Sequence, residues 1–492
     1  MPANPHNFQN AGDFTLDGIL VVGSSGQKIN IHNLVREINI YQSIDAPFIS
    51  GNMMISDAEG VTELLPFLGQ ERLLFELKTP GRSNSINFNK YNAIIYNMET
   101  RFHTTDRMQS LVLNFTTLEH YKNIRTKISK SFKGTISEIV QKILSDTSFL
   151  GTNKGLNIEK TKNNRKYVIP NLNPFQAINL IKEEAVSAEE SAPHYLFYEN
   201  QDGFHFRSLD SLLGKKQLLS VPHKAIYKFQ PPDPEEPAEL SSTTILNWEV
   251  EDNTNHFLST KLGMFGSTLY SHDIYNKNIQ KYDFDYQKDS YSIRNTTDQE
   301  AGSGSLVSGG IISDKKTITE FPDSKIFVHP NASDQLHSEG TDNNAKDWLQ
   351  ESRARQLEKE YFTLKIETYG NTEIMVGDII DIVIPTNRPL HKGTGASKID
   401  NILSGRYLIT SLHHKVSPTE NVHNMTITVM KNSVRKATPV KDVQYPEEPT
   451  MASDIGLGSV NSTLTTKPRK TLPTTALEKP AFNSSTGRTG GR

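Results

Sequence analysis

Cysteine is absent from this 492-residue chain, which excludes disulfides, zinc–thiolate sites and thiol catalysis. No stretch approaches the roughly 18 consecutive apolar residues that a helical membrane span requires, so no membrane span is expected. Long basic runs are missing as well. With 53 Lys and Arg against 56 Asp and Glu, the formal charge is -3. That is the wrong balance for a protein that coats nucleic acid by neutralising phosphates. The N-terminal run Met1-Pro2-Ala3-Asn4-Pro5 lacks a basic segment followed by an apolar one. No signal peptide is read there, and folding in a cytoplasm is the expectation.

Motifs that carry chemistry are equally scarce. Gly393-Thr394-Gly395-Ala396-Ser397-Lys398 has glycines and a lysine. No glycine precedes that lysine and no strand–loop–helix pattern surrounds it, so it is not read as a phosphate loop. His413 and His414 are neighbours on a predicted strand; they point to opposite faces and cannot share one metal. Asn114, Asn295 and Asn331 sit in glycosylation triplets that carry no meaning without secretion. Asp and Glu are numerous, but no pair is spaced to argue for hydrolysis. No catalytic residue, cofactor-binding residue or metal ligand is assigned, and no enzyme is expected.

What the chain has in abundance is strand patterning, most densely over residues 344–434. Asp342 or Asn343 can cap a helix carrying Trp348, Leu349, Ala354 and Leu357, with Glu351 and Arg355 paired at i,i+4. Period two follows: Phe362, Leu364 and Ile366 point one way, Thr363, Lys365 and Glu367 the other. Further strands are predicted over 379–384 (stopped by Pro385), from Gly405-Arg406-Tyr407 through Val416, and over Met425, Ile427 and Val429. Four strands with one apolar face must curl or pack on something to bury it, so a small barrel is predicted, with the helix as its lid.

Residues 14–120 also read as short strands, for example Leu111, Leu113 and Phe115 alternating with Ser110, Val112 and Asn114. The leucine-rich run 61–68, broken by Pro66, reads as a helical turn or an outlying loop. The middle changes character. Thr135-Ile136-Ser137-Glu138 is a capping box leading an apolar stripe of Ile136, Ile139, Val140, Ile143 and Leu144. Asn173-Pro174-Phe175 opens a second helix, with Ala177, Ile178, Ile181 and Ala185 on its inner face. A hairpin turns at Asp202-Gly203 between Tyr195-Leu196-Phe197-Tyr198 and Phe204-His205-Phe206. Its aromatics are read as core, because no basic residues interleave with them as a base-stacking surface would need.

The sequence therefore divides as follows. Residues 1–120 form a first β-barrel, 121–229 an α+β middle domain, and 230–240 a stiff Pro-rich linker. Residues 241–270 and 344–437 form a second barrel, interrupted by a polar insertion over 271–343. The tail, 438–492, is too polar to order itself alone. The class is α+β, mainly β.

The motif Asn173-Pro174-Phe175-Gln176-Ala177-Ile178, the hairpin from Tyr195 to Ser208, Gly263-Met264-Phe265-Gly266-Ser267 with His272-Asp273, and Gly377-Asp378 with Gly405-Arg406-Tyr407-Leu408-Ile409 together resemble the central baseplate hub protein of contractile-tailed bacteriophages, over roughly residues 10–437. That resemblance implies two tube-type barrels per chain and a homotrimer. Six quasi-equivalent barrels would then meet a six-fold tail tube on one side and a three-fold central spike on the other. It also implies baseplate wedge and tape measure proteins as partners, a place in the virion tail baseplate, and DNA only in passage through a lumen during ejection. Glu367 and Asp381 are candidate lumen residues. Two other classes compete. A spike of a type VI secretion or other contractile injection system would carry a fused needle of short β repeats, where this chain has a polar tail. A tail-associated peptidoglycan hydrolase would show itself in a zymogram.

Overall fold

The computed structural model describes residues 10–435, apart from 59, 61–68, 106–107, 190, 214–225, 231–240, 254, 274–276, 290–302, 306–310, 314–315, 332–343 and 387–398. The run 61–68, most of the Pro-rich linker, Asp342 and Asn343, Asn295, Gly393 to Lys398 and the tail lie outside the described residues.

One large sheet dominates the chain. The first unit supplies β1 (Leu20–Val22), β2 (Lys28–Asn30), β3 (Val35–Ser43), β4 (Ser50–Asp57), β5 (Arg72–Leu74), β6 (Ala93–Thr105) and β7 (Met108–Thr117). Alternation along these strands puts Ile38, Ile40, Met53, Ile55, Leu111, Leu113 and Phe115 in one core, all buried, while their neighbours face outward. Gly51 on β4 lies where any Cβ would meet the Phe115 ring and the Asn39 carbonyl; only glycine lets the strands close there.

The middle domain follows α1 (Leu118–Arg125). It holds β8 (Ile128–Gly134), α2 (Ile136–Ser145), β9 (Gly155–Ile158), β10 (Arg165–Leu172), α3 (Pro174–Lys182), the hairpin β11 (Tyr195–Asn200) and β12 (Gly203–Ser208), and α4 (Leu209–Leu213). The Thr135 hydroxyl accepts from the Glu138 N–H at 3.3 Å, and Glu138 accepts from the Thr135 N–H at 3.0 Å, the two halves of a capping box. Gln176 likewise accepts from the Asn173 N–H, at 3.3 Å. The apolar stripes of α2 and α3 meet the hairpin's Phe197, Phe204 and Phe206 in a single core. Thr135→Ala should cost about 1 kcal/mol, the usual worth of an N-cap. Denaturant unfolding of the middle domain measures it, and an unchanged midpoint would mean the box does not set the helix start.

The second unit is a closed barrel of six strands: β13 (Ile226–Phe229), β14 (Thr244–Asn253), β18 (Phe362–Tyr369), β19 (Ile379–Val383), β20 (Gly405–Ser417) and β21 (Val422–Met430). Its order is β19-β13-β14-β18-β21-β20, and β20 pairs back to β19. Phe362, Leu364, Ile366, Ile380, Ile382, Leu412, Ile427 and Val429 fill its interior.

Three sequence readings shift here. Residues 226–229, assigned to the middle domain, join the barrel through parallel pairing with β14 and β19. Residues 258–270 are not barrel strand. After α5 (His256–Leu262), which ends at left-handed Gly263, β15 (Gly266–Asp273) stands between β16 (Asn278–Asp285) and β17 (Ile326–Asn331) in a separate sheet. The insertion thus begins near residue 254 rather than 271. Sequence patterning missed this because nothing local in a strand tells which sheet it pairs into. Finally, α6 (Leu349–Lys359) is no lid on the barrel. Its Ala354 and Leu357 pack on Met264, Phe265, Phe284 and Tyr286 of the insertion.

Candidate assembly surface

The strand that organises the molecule is β20, because it belongs to both β-units. Along one side it pairs with β21 over nearly its whole length. On the other side it changes partner. Residues Gly405 to Leu408 pair with β19, and Ser411 to Val416 pair with β3 of the first unit. At the switch the Ile44 N–H donates to the Thr410 carbonyl at 2.9 Å. Its side chains divide the same way: Leu408, Ile409 and Leu412 enter the second core and Val416 the first. Each unit's edge is thereby covered by the other's, which removes an exposed row of backbone donors and acceptors.

A second lock holds the units together. The Thr79 N–H donates to Thr372 Oγ1 and the Thr372 N–H to Thr79 Oγ1, both at 3.0 Å and both buried. Arg82 and Glu373 pair at 3.4 Å beside them. His414 on β20 and His423 on β21 are wholly buried, with Nδ1 of the first 3.1 Å from Nε2 of the second. Burial pushes both imidazoles well below their ordinary range, so the pair is neutral and acts as a polar joint in the wall. A side chain at Gly370 would run into the His423 ring.

The outward face of this continuous sheet carries an unusual row. Asn97 on β6 stands opposite Asn114, Asn114 opposite Asn52, Asn52 opposite Asn39, Asn39 opposite Lys415, and Lys415 opposite Asn424. Asn39 Nδ2 donates to Asn52 Oδ1 at 2.9 Å and to Glu37 at 2.8 Å. Asn114 Nδ2 donates to Glu99 at 2.9 Å. His413 donates from Nε2 to Asn39 Oδ1 at 2.8 Å and stacks on Tyr41. Two ion pairs lie on this face: Lys415 meets Glu37 at 3.2 Å, and Lys365 meets Glu251 at 3.9 Å. Burial works against the Glu37 carboxylate, but the Asn39 amide and Lys415 hold it below its usual range. The row is therefore polar, with its one lysine paired to Glu37, a surface that offers hydrogen bonds without a basic grip.

His413 and His414 do point to opposite faces, as their adjacency requires. Glu367 is exposed on this same outward face, opposite Thr426. Asp381 sits elsewhere on the barrel, on β19, 3.6 Å from Arg406; the two carboxylates named together from sequence are not brought together. Asn114 joins the amide row. The other members of that row went unremarked because cross-strand register is set by pairing far along the chain, and alternation alone showed only that they face outward.

Two buried charge clusters join the domains. Lys154 lies between Glu119, at 2.7 Å, and Glu199. Glu199 also accepts from Thr117 Oγ1 at 2.9 Å and from the Ile49 N–H at 3.3 Å. The small cleft beside them, lined by Ile86, Tyr91, Lys154, Glu199 and Gln201, offers charged groups already engaged with one another. Arg355 on α6 is fully buried against Asp210 of α4 and Glu358 of its own helix. Glu351, expected as its partner, is not; burial pushes that carboxyl up to about 7. Among the described residues no three or more His, Asp or Glu gather as a metal site.

No protein-family model matches the chain. A probable baseplate hub protein of Vibrio phage KVP40 is 24% identical over 426 residues, covering 81% of this chain and 90% of the relative. Two solved structures align with most of it: the tail protein from Neisseria meningitidis MC58 (13% identity, 85% of this chain and 96% of that one, TM-score 0.49) and the 43 kDa tail protein of prophage MuSo2 from Shewanella oneidensis (9%, 84% and 98%, TM-score 0.46).

Proposed function

We propose that this chain, similar over most of its length to a phage baseplate hub protein, is a structural hub at the centre of a contractile tail's baseplate. Three copies form a ring that adapts a six-fold tube to a three-fold spike, and its lumen passes DNA. The observation that carries this reading is β20, which fuses two β-units edge to edge within one chain. A chain that carries two β-units is what a trimer needs to present six positions to a six-fold neighbour. The amide row supports the conduit role. A wall of amide donors and acceptors, its one lysine already paired with Glu37, touches a polyanion without the counterion release that makes basic surfaces cling. No chemistry is assigned to the chain, and a cell-wall zymogram of it should stay blank.

The test is negative-stain imaging with sedimentation of the full chain. A three-fold ring with a central hole is expected, together with weak retention of duplex DNA at low salt. A monomer at micromolar concentration would remove the hub. Tight, salt-sensitive DNA binding by a ring would remove only the non-clinging wall.

A further inference from the structure

The Lys154 cluster brings an amine, a carboxyl group and a second carboxylate into mutual contact inside the protein. The three side chains are 2% (Lys154), 1% (Glu199) and 7% (Glu119) exposed. Lys154, just ahead of β9, places its ammonium against Glu199 Oε1 and 2.7 Å from Glu119 Oε2. The rings of Tyr91 and Phe204 flank the nitrogen at 5.3 and 5.8 Å.

The other oxygen of Glu199 is held differently. Oε2 accepts from the Thr117 hydroxyl at 2.9 Å and from the Ile49 N–H at 3.3 Å. Two donors on one oxygen polarise the carboxyl, and they stand where negative charge gathers when its carbon is attacked. The Thr152 hydroxyl pins Glu119 Oε1 at 3.1 Å, which leaves Oε2 for the ammonium.

Burial prepares the groups to react. A charged pair kept from water is costly, so a proton passed from nitrogen to carboxylate costs less here than in solvent. Burial also pushes the Glu199 carboxyl up, toward the protonated form whose hydroxyl can leave as water. The two carboxylates hold Lys154 as an ammonium at neutral pH. Free amine is therefore scarce, and any reaction through it is slow.

We propose that Lys154 and Glu199 close to an isopeptide bond, in a single reaction of the folded chain with itself that uses Glu119 as the base. The ammonium first passes a proton to the Glu119 carboxylate. Nζ then attacks Cδ of the protonated Glu199 carboxyl, and the carbonyl electron pair moves onto Oε2 between its two donors. Glu119 gives its proton to the Oε1 hydroxyl, which departs as water while the Oε2 carbonyl reforms. The carboxylate then takes the proton that the new amide nitrogen sheds. One C–N bond replaces one C–O bond, with no change of oxidation state and no external substrate. The small cleft lined by Lys154 and Glu199 receives the water. Until the bond closes, the three groups remain the charged joint described above. Once closed, it ties β9 to β11 through residues 45 positions apart.

The intact mass of the full chain, denatured after standing folded at neutral pH, reads the bond. The parent should become one water lighter than its sequence. Tryptic digestion should then yield Ile143–Lys160, uncut at the acylated Lys154, joined to Glu183–Arg207. Glu119→Gln keeps both reacting groups and removes the base, so it should hold its full mass over the same period. Since that variant can lose the fold, Thr117→Val is the second. It removes one donor to Oε2, leaves all three reacting groups in place, and should slow closure about a hundredfold. A parent that keeps its sequence mass, or loses water without that branched peptide, overturns the proposal. Closure at the parent's rate in both variants overturns the assigned roles. The bond lies within one chain, so its failure leaves the hub reading standing.

Discussion

Arg355→Ala is expected to destabilise the fold by about 3–5 kcal/mol, because it strands the Asp210 and Glu358 carboxylates away from water without a countercharge. The guanidinium is fully buried and pairs with both, and the Tyr286 hydroxyl donates to Glu358 from the insertion side. Burial opposes its charge, yet the two carboxylates hold Arg355 above its ordinary value. It therefore ties three parts of the chain through one planar group: α4 of the middle domain, α6, and the insertion strand system. Lysine cannot replace it, since one ammonium does not span two carboxylates in a fixed fork. Replacing all three charges by apolar residues of similar volume should recover most of the loss. Denaturant midpoints of the single and triple variants read this directly. A single variant that melts like the parent would mean water reaches the cluster and α6 is held by its apolar face alone.

The contrast between that cluster and the elements around it shows what sequence can carry. Signals confined to a few residues were legible: the Thr135 capping box, proline at the first turn after Asn173, Asp202-Gly203 in the hairpin, and the inward faces of β18 and β21. In each, the physics lies within one turn or one strand. What escaped depends on partners far along the chain. Nothing local in Ile226 to Phe229 distinguishes a parallel barrel strand from a middle-domain edge. Nothing in Gly405 to Ser417 announces that it changes partner halfway. Arg355 was paired with Glu351 one turn away and Lys154 drew no reading, because Asp210 and Glu199, which meet them, stand 145 and 45 positions away. The amide row is spread over five strands of both units, so no window of sequence contains it. The candidate surface is thus a property of register, while the elements that build it are properties of sequence.

Lys154→Met should be comparably severe at neutral pH and should differ in how it responds to acid. Here the Glu199 carboxylate reaches out of the middle-domain hairpin to the Ile49 N–H and the Thr117 hydroxyl of the first β-unit. Glu119 holds the same ammonium from α1, with the Thr152 hydroxyl donating to it at 3.1 Å. Burial already pushes the Glu199 carboxyl above its ordinary value, even with the ammonium against it. A carboxyl whose folded pKa exceeds its unfolded one takes up a proton more readily in the fold, so its site gains stability as pH falls through that raised value. Lys154 runs the other way. Burial opposes its charge, but the two carboxylates raise its pKa above 10.5. Its stabilising share is therefore complete at neutral pH and lost only as pH climbs through that raised value. Removing the ammonium leaves two buried like charges, at a cost of about 3–5 kcal/mol, and drives Glu199 further toward its neutral form. The penalty of Lys154→Met should accordingly be large at pH 7.5 and distinctly smaller at pH 5, where protonation relieves the repulsion. Glu199→Gln, which removes the buried charge that titrates, should flatten that dependence in the same background. Unfolding midpoints across this pH range decide the matter. An equal loss at both ends, or none, would mean the three charges do not act as the joint between the hairpin and the first β-unit.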